Sequence, residues 1–331
     1  MRVLHVGMGK TATSSLQLHV FPRLAQLGLI DAYNPQPLHS GVDAALNGYF
    51  DEAQLPQLAA AQQRMLISNE TLLEWDPALW EESANRLLRI FGHEVTILIT
   101  VREPATYLRS LYQQMLHVAK IRTPEDFFLS ADEYFAVRRF IRPGELDAID
   151  VDAFDLGRMV SLYIERFASV ILVPFEAIGE LQFLTALWDI SDETHATLVR
   201  DFAAAPRVNM SYSRLAVQLT LGRERLLAAI GLRSLSASDR QLRKALAFTR
   251  SQPFSARRSL VPSWATMMKP INRYGPKIAY RLPEGLYLGR HLAANAALYD
   301  RLRQTPGGYL RYQDGQAKGL DVRLAVRAAA T

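Results

Sequence analysis

The fold is decided by residues 3–17, VLHVGMGKTATSSLQ. A short apolar run opens this stretch and is broken at Gly7 and Gly9. Lys10 and a cluster of hydroxyl residues follow, and they begin a segment with apolar residues at helical spacing, namely Leu16, Val20, Leu24 and Leu27. This pattern predicts a strand, a tight turn and a helix.

The predicted turn has the composition of an anion-binding loop. Glycine lets the backbone approach an oxyanion, and the first N–H groups of a helix point towards it. Lys10 adds a charge, and the neighbouring hydroxyl groups add hydrogen-bond donors. We therefore expect an anionic nucleotide to be held by Gly9, Lys10, Thr11, Ala12, Thr13, Ser14 and Ser15.

The loop is not a complete Walker A motif. The pattern G-x-x-x-x-G-K-[ST] requires a glycine at position 4, where this chain has Leu4. The remaining Gly9-Lys10-Thr11 string is short, and an ordinary strand-to-helix turn with a capped helix is the alternative interpretation. A second site further along the chain favours the anion-binding interpretation.

Composition places the chain among ordinary globular proteins. It has 331 residues, of which 49% are hydrophobic and 21% charged, and it has no cysteine. Disulfides, thiolate metal sites and cysteine nucleophiles are therefore excluded. We find neither a secretory signal nor an apolar run long enough to span a bilayer, and we expect a cytoplasmic protein, with peripheral contact at the inner membrane face as an option.

The formal net charge of +5 conceals a strong asymmetry. Residues 1–199 contain 15 basic and 26 acidic side chains, whereas residues 200–331 contain 23 basic and 7 acidic side chains. A basic region of this kind fits an acidic partner such as an anionic membrane surface or a polyanionic glycan; we expect no nucleic acid. Solvated helix faces that are rich in arginine are the alternative interpretation.

Strand and helix patterns alternate over the first 190 residues, as in right-handed βαβ units. We predict strands at 65–68, 94–101 and 169–173, and helices at 51–63, 78–91, 104–116, 124–140, 155–167 and 175–188. After residue 190 we predict only helices, at 193–203, 211–230, 239–249 and 290–302. The sequence therefore predicts a three-layer α/β/α core with a mainly parallel sheet at 1–190, and a basic helical region at 191–331 that contributes to acceptor binding.

Two further strand ends carry polar side chains that suit a ligand site. In a parallel sheet, ligands collect at the carboxyl ends of the strands. One predicted strand ends at Ser68-Asn69-Glu70, and Arg102 follows the most apolar one, with Ser110 eight residues later. Arginine can hold a phosphate through paired charge-assisted hydrogen bonds, and serine can add another donor.

These motifs resemble those of the sulfotransferases that use 3′-phosphoadenosine 5′-phosphosulfate (PAPS). Residues 7–17 resemble the 5′-phosphosulfate loop of the family, and residues 101–112 resemble its 3′-phosphate motif, Arg-x-Pro with a serine eight residues after the arginine. The likeness covers about the first 115 residues by motif and about 190 by pattern. Two positions depart from it, since Ala12 stands where glycine is common and Tyr107 where many members have a second basic residue.

The resemblance implies a role for each matching residue. Lys10 would stabilise charge on the departing phosphate, the hydroxyl residues of the loop would hold the 5′-phosphate, and Arg102 with Ser110 would hold the 3′-phosphate. Glu70 would be the catalytic base. Arg207, in a late turn, resembles more loosely a loop that closes over the nucleotide. The family fold is like that of the P-loop NTPases, and its reaction needs no metal.

Several alternatives remain open from the sequence. Glu70 could instead be a carboxylate at a helix N-terminus, favoured by the helix dipole. His39, in the predicted loop 31–48, and His5, inside the first strand, are other candidate bases, although His5 is better placed as a core or supporting residue. The predicted acceptor is a hydroxyl or amino group of a glycan, glycolipid or small molecule; the rival functions are an ATP- or GTP-dependent kinase and a non-enzymatic nucleotide-binding scaffold.

Overall fold

The computed structural model describes residues 1–46, 52–117, 123–138, 148–206, 213–229, 264–276, 278–313 and 316–318. Over these ranges the protein is α/β with a mostly parallel central sheet, which confirms the predicted class. The strands are β1 (Arg2–His5), β2 (Ala32–Tyr33), β3 (Met65–Ser68), β4 (Thr96–Val101), β5 (Phe128–Leu129), β6 (Ile149–Asp150), β7 (Ser169–Pro174), β8 (Leu310–Gln313) and β9 (Gln316–Lys318).

The helices lie between and after these strands. They are α1 (Thr13–His19), α2 (Phe21–Gln26), α3 (Leu38–Leu46), α4 (Leu55–Ala60), α5 (Trp80–Phe91), α6 (Pro104–His117), α7 (Pro124–Phe127), α8 (Ala131–Arg138), α9 (Leu156–Ile164), α10 (Phe183–Leu187), α11 (Asp192–Ala204), α12 (Arg214–Ala229), α13 (Trp264–Tyr274) and α14 (Leu292–Arg303). Short 3₁₀ helices cover Glu52–Gln54, Pro77–Leu79 and Phe175–Glu180. None of the helices in the described ranges is both long enough and apolar enough to cross a membrane.

The central sheet has the strand order β2-β3-β1-β4-β7-β8-β9. Its first five strands are parallel, whereas β8 runs antiparallel to β7 and β9 antiparallel to β8. The chain leaves β1 for β2 and β3 on one side and then crosses to β4 and β7 on the other. This change of direction makes a topological switch point at β1, where open α/β sheets bind their ligands.

The inner strands form because they are mostly apolar and can be buried along their whole length. Every residue of β3, β4 and β7 is buried, as expected for parallel strands that are covered on both faces. One core cluster joins Val3, Leu66 and Leu98 of adjacent strands to Leu16 of α1 and Phe21 of α2. This packing holds α1, and the turn that precedes it, against the sheet.

The chain divides into two compact units that are not contiguous in sequence. Unit 1 comprises residues 1–107, 150–209 and 289–331, and unit 2 comprises residues 108–149 and 210–288. These units do not coincide with the predicted boundary at residue 190. Unit 2 contains 20 basic and 9 acidic residues, so the excess of positive charge belongs mainly to it.

Each unit has its own aromatic packing. In unit 1, Tyr107 stacks on Phe154 with ring centroids 5.4 Å apart. In unit 2, the ring of Tyr112 packs on Tyr280 with a centroid separation of 6.0 Å. The indole N–H of Trp264 donates to Thr220 Oγ1 at 2.9 Å and thereby joins α13 to α12.

Several predicted elements differ from the observed helices and strands in type or in extent. The C-terminal region is not only helical, because β8 and β9 extend the sheet; β8 was missed since it has just four residues and pairs with a strand about 140 residues away. The predicted loop 31–48 contains β2 and α3. One predicted first helix is two, α1 and α2, because Pro22 begins a new helix. The predicted helix 239–249 lies outside the described residues.

Candidate anion-binding active site

The turn between β1 and α1 contains a run of backbone N–H donors. Lys10 and Ala12 both have left-handed backbone conformations, with φ of 67° and 60°. Met8 N–H donates to Thr100 O, and Ser15 N–H donates to Ala12 O. Between them, across the described part of the chain, the N–H groups of residues 9–13 have no protein acceptor. Successive unpaired N–H groups in such a turn make an anion-binding nest.

Ala12 occupies a position that favours glycine. It is the N-cap of α1, has no side-chain capping hydrogen bond, and its φ of 60° lies in the left-handed region. An alanine is the mildest replacement for glycine only where φ is negative, and here it is positive. The nest therefore contains a strained residue, a feature that recurs at ligand sites.

Replacing Ala12 by glycine is expected to increase the free energy of unfolding by about 1 kcal/mol, because relief of the left-handed strain exceeds the added flexibility of the unfolded chain. Urea denaturation measures this change. Ala25→Gly on α2 is the matched control and should decrease stability by about 1 kcal/mol, because Ala25 lies within a helix. Equal destabilisation by both changes would contradict the strain at Ala12.

Gly9 is required by a tryptophan that the sequence analysis did not single out. A Cβ atom built on Gly9 would lie 2.1 Å from the ring of Trp75, so only glycine fits under the indole. Trp75 N–H is held by the carboxylate of Glu74 at 2.9 Å. The indole therefore covers one side of the loop, and nothing in the local sequence around Trp75 indicated this.

The hydroxyl groups of the loop do not all face the nest. Thr11 is fully buried, and its hydroxyl donates to Met8 O and lies 2.6 Å from Thr100 Oγ1. Thr13 is also buried, with its hydroxyl 3.4 Å from that of Thr11. Thr11 can therefore offer an anion its backbone N–H but not its hydroxyl proton. Ser14 and Ser15 are partly exposed, and Ser14 Oγ donates to Glu70 Oε1 at 3.3 Å.

Three charged groups meet at the carboxyl ends of β1, β3 and β4. Arg102 donates from Nη1 to Lys10 O at 3.1 Å, and its guanidinium lies 4.6 Å above the ring of Phe175. Burial lowers the pKa of Lys10. The charge of Glu70 opposes this effect, and the charge of Arg102 lowers the pKa further. Burial also raises the pKa of Glu70, against the opposing effects of Ser14 and Lys10. Within the described residues no ion pair within 4.0 Å joins Lys10 to Glu70.

Glu70 does not begin a helix. It lies in the turn after β3, and the next helical residue of the chain is Pro77. Glu70 is therefore not at a helix N-terminus, and a helix dipole does not stabilise its carboxylate. The alternative interpretation is wrong. Its half-buried carboxylate instead lies between the serine of α1 and the charge of Lys10.

No protein-family model, curated protein or solved structure matches this chain.

Tyr107 is buried near two acidic side chains. Tyr107 is 2% exposed, and burial, followed by the charges of Glu70 and then Glu74, raises its pKa. The position faces two carboxylates, and Tyr107 can offer a hydroxyl proton there but no positive charge. Glu74, whose pKa is raised mainly by burial, was also missed by the sequence analysis.

The remaining residues predicted for the site are Ser110, Arg207, His39 and His5. Ser110 is 3% exposed on α6 and belongs to unit 2, whereas Arg102 belongs to unit 1. Arg207 lies outside the described residues. His39 is on α3, where Gln36 Nε2 lies 3.4 Å from its Nδ1; burial lowers its pKa, and Asp43 raises it. His5 is fully buried within β1.

Proposed function

We propose that this protein is a PAPS-dependent sulfotransferase that transfers a sulfuryl group to a hydroxyl or amino group of its acceptor. The observation that carries the proposal is the nest of unpaired N–H groups at residues 9–13, formed at the switch point of a mostly parallel sheet. Lys10 and Arg102 add two positive charges at the same strand ends. The proposed fold is the three-layer α/β/α arrangement of that family, which the strand order supports.

The residues present fit the anionic ends of the donor. The backbone N–H groups of the nest, with the hydroxyls of Ser14 and Ser15, would hold the 5′-phosphate. Arg102 would hold the 3′-phosphate, as the resemblance implies. Gly9 leaves the room that Trp75 needs beside the loop. Thr11 and Thr13 would contribute through their backbone, because their side chains are buried.

When bound, PAPS supplies an activated sulfuryl group and a phosphate leaving group. Lys10 would stabilise charge that develops on the leaving side, because it is largely desolvated and close to Arg102. Glu70 would accept the acceptor's proton, since its raised pKa makes it a stronger base than an exposed glutamate. Positioning of the two reactants supplies a further part of the rate.

The acceptor is proposed to bind beside α3. Asp43 on that helix accepts hydrogen bonds from Asn69 Nδ2 at 2.9 Å and from Thr71 Oγ1 at 3.0 Å. These contacts hold α3, which lies within the predicted loop 31–48, against the turn that carries Glu70. A glycan, glycolipid or small hydroxylated metabolite is the proposed acceptor class, and the basic residues of unit 2 favour an acidic or membrane-associated one.

Calorimetric titration with adenosine 3′,5′-bisphosphate in EDTA tests the proposal without an acceptor. We expect metal-independent binding to the wild type and roughly 10- to 100-fold weaker binding to Arg102→Ala, because hydrogen bonds to charged groups are lost. Arg64→Ala is the matched control. Arg64 directly precedes β3, at the amino ends of the parallel strands and therefore away from the loop, and it pairs with Asp31 at 3.4 Å. Its affinity should be unchanged.

Two results would favour the rival functions. Binding of ATP with Mg²⁺, together with no binding of the bisphosphate, would indicate a kinase. Binding of neither nucleotide, together with salt-sensitive binding to vesicles that contain anionic lipid, would indicate a scaffold that docks through unit 2.

A further inference from the structure

A buried histidine connects the three strand ends of the candidate site. His5 Nδ1 lies 2.7 Å from Ser68 Oγ on β3, and His5 Nε2 lies 3.2 Å from Thr100 Oγ1 on β4. Thr100 Oγ1 is in turn 2.6 Å from Thr11 Oγ1 in the loop. On the other side, Gln17 of α1 donates to Ser68 Oγ at 3.1 Å. The chain of contacts therefore begins on α1 and ends in the loop.

Proton counting determines the direction of every bond in this chain. The Thr11 hydroxyl donates to Met8 O, which can only accept. The proton between Thr100 and Thr11 must then come from Thr100, and the proton between His5 and Thr100 must come from Nε2. A neutral imidazole has one N–H group, so Nδ1 accepts from the Ser68 hydroxyl. The network thus assigns the Nε2–H tautomer to His5.

We infer that His5, as the Nε2–H tautomer, is a positioning residue that connects the anion-binding loop to the turn that carries Glu70. Its Nε2 side controls the loop through Thr100 and Thr11. Its Nδ1 side controls the turn through Ser68, which precedes Glu70 by two residues. This inference adds a positioning residue to the proposed sulfotransferase site. It rests on the proposed function for the roles of the anion-binding loop and of Glu70.

The surroundings of His5 support a neutral ring. The side chain has no exposed surface, and its ring packs edge-on against Phe21 with centroids 5.1 Å apart. Burial lowers the pKa of His5 to about 3. A protonated ring would also have two donors, and the Ser68 hydroxyl would then lose its acceptor at Nδ1. The one-way chain therefore persists through the neutral pH range.

Nitrogen NMR of histidine-labelled protein tests the tautomer directly. We expect His5 to show a protonated Nε2 and an unprotonated Nδ1 from pH 5 to pH 8, with no titration. A protonated Nδ1, or a titration within this range, would overturn the assigned direction. This measurement needs no nucleotide, so its outcome is independent of the proposed function.

Two conservative variants separate the two sides of the ring. The side chain of His5→Asn reaches the position of Nδ1 and can accept from Ser68, but it is too short for Thr100. The side chain of His5→Gln reaches the position of Nε2 and can donate to Thr100, but it loses Ser68. We expect His5→Asn to shift the backbone amide resonances of residues 9–13, and His5→Gln to shift those of residues 69–71. Thermal unfolding of both variants establishes that they are folded.

The same pair gives a functional readout that a general loss of stability would not produce. His5→Asn should weaken binding of adenosine 3′,5′-bisphosphate by about 5-fold, the typical effect of one net hydrogen bond, whereas His5→Gln should bind within about 2-fold of wild type. Equal shifts or equal losses in the two variants would overturn the inference. If the wild type binds no bisphosphate, the proposed function fails, while the tautomer and the two amide patterns still decide the role of His5.

Discussion

Replacing Glu70 by glutamine is expected to lower kcat by about 10²- to 10⁴-fold, the usual contribution of a general base. The amide keeps the size of the side chain and its contact with Ser14 but cannot accept the acceptor's proton. Because Glu70 is not expected to hold the nucleotide, affinity for adenosine 3′,5′-bisphosphate should stay within about 3-fold. Release of the bisphosphate from PAPS, measured with a panel of hydroxylated glycans and phenols, gives kcat.

The pH dependence and the stability of this variant distinguish catalysis from structure. The raised pKa of Glu70 means that the wild-type rate should rise with pH as this carboxyl ionises, at a pH above that for an exposed glutamate. This limb should disappear in Glu70→Gln. A carboxyl whose pKa is raised in the folded state lowers stability once it is ionised, so the variant should unfold at an equal or higher temperature. A variant that keeps full activity, or that loses activity together with its fold, would contradict the assignment.

Replacing Gly7 by alanine is expected to lower the free energy of unfolding by about 3 kcal/mol. A Cβ atom on Gly7 would lie 2.5 Å from Thr100 Oγ1 and 2.8 Å from both His5 Nε2 and Thr13 Oγ1. These atoms are buried, and two of them belong to the hydrogen-bond chain through His5. Overpacking costs about 1–3 kcal/mol, and a disrupted buried hydrogen bond costs about 1–3 kcal/mol more.

Urea denaturation measures this loss, and the chain offers a matched control. Gly179→Ala makes the same chemical change where a Cβ atom would meet nothing within 4 Å and where φ does not require glycine. Its stability should change by less than about 0.5 kcal/mol, as for ordinary surface substitutions. Equal stability of Gly7→Ala and Gly179→Ala would contradict the close packing of these atoms around Gly7.

Much of the sheet could be predicted from local pattern. Met65–Ser68 was predicted with its observed limits, and the predicted strand 94–101 contains β4. Such strands are recognisable because parallel strands buried on both faces are apolar throughout. By contrast β2 has only two residues, and β8 alternates buried and half-buried residues over four positions. Their existence depends on partners that are distant in sequence.

The candidate site was only partly predictable for the same reason. A glycine- and hydroxyl-rich stretch after a strand indicates an anion loop, and the ends of parallel strands indicate that Lys10, Glu70 and Arg102 meet. Which groups face the ligand is not encoded locally. Thr11 and Ser14 belong to one run of hydroxyl residues, yet the Thr11 hydroxyl is buried towards Thr100 and that of Ser14 donates to Glu70.

The sequence by itself therefore determined the α/β class, the parallel core strands and the positions where anionic chemistry could occur, because periodicity and turn composition act over a few neighbouring residues. The tertiary structure alone decided the left-handed conformation of Ala12, the indole of Trp75 over Gly9, and the tautomer of His5. The contact of the indole with Gly9 and the tautomer of His5 depend on atoms from strands or turns that are up to 95 residues apart. Contacts of that kind are made by packing, and no local pattern carries them.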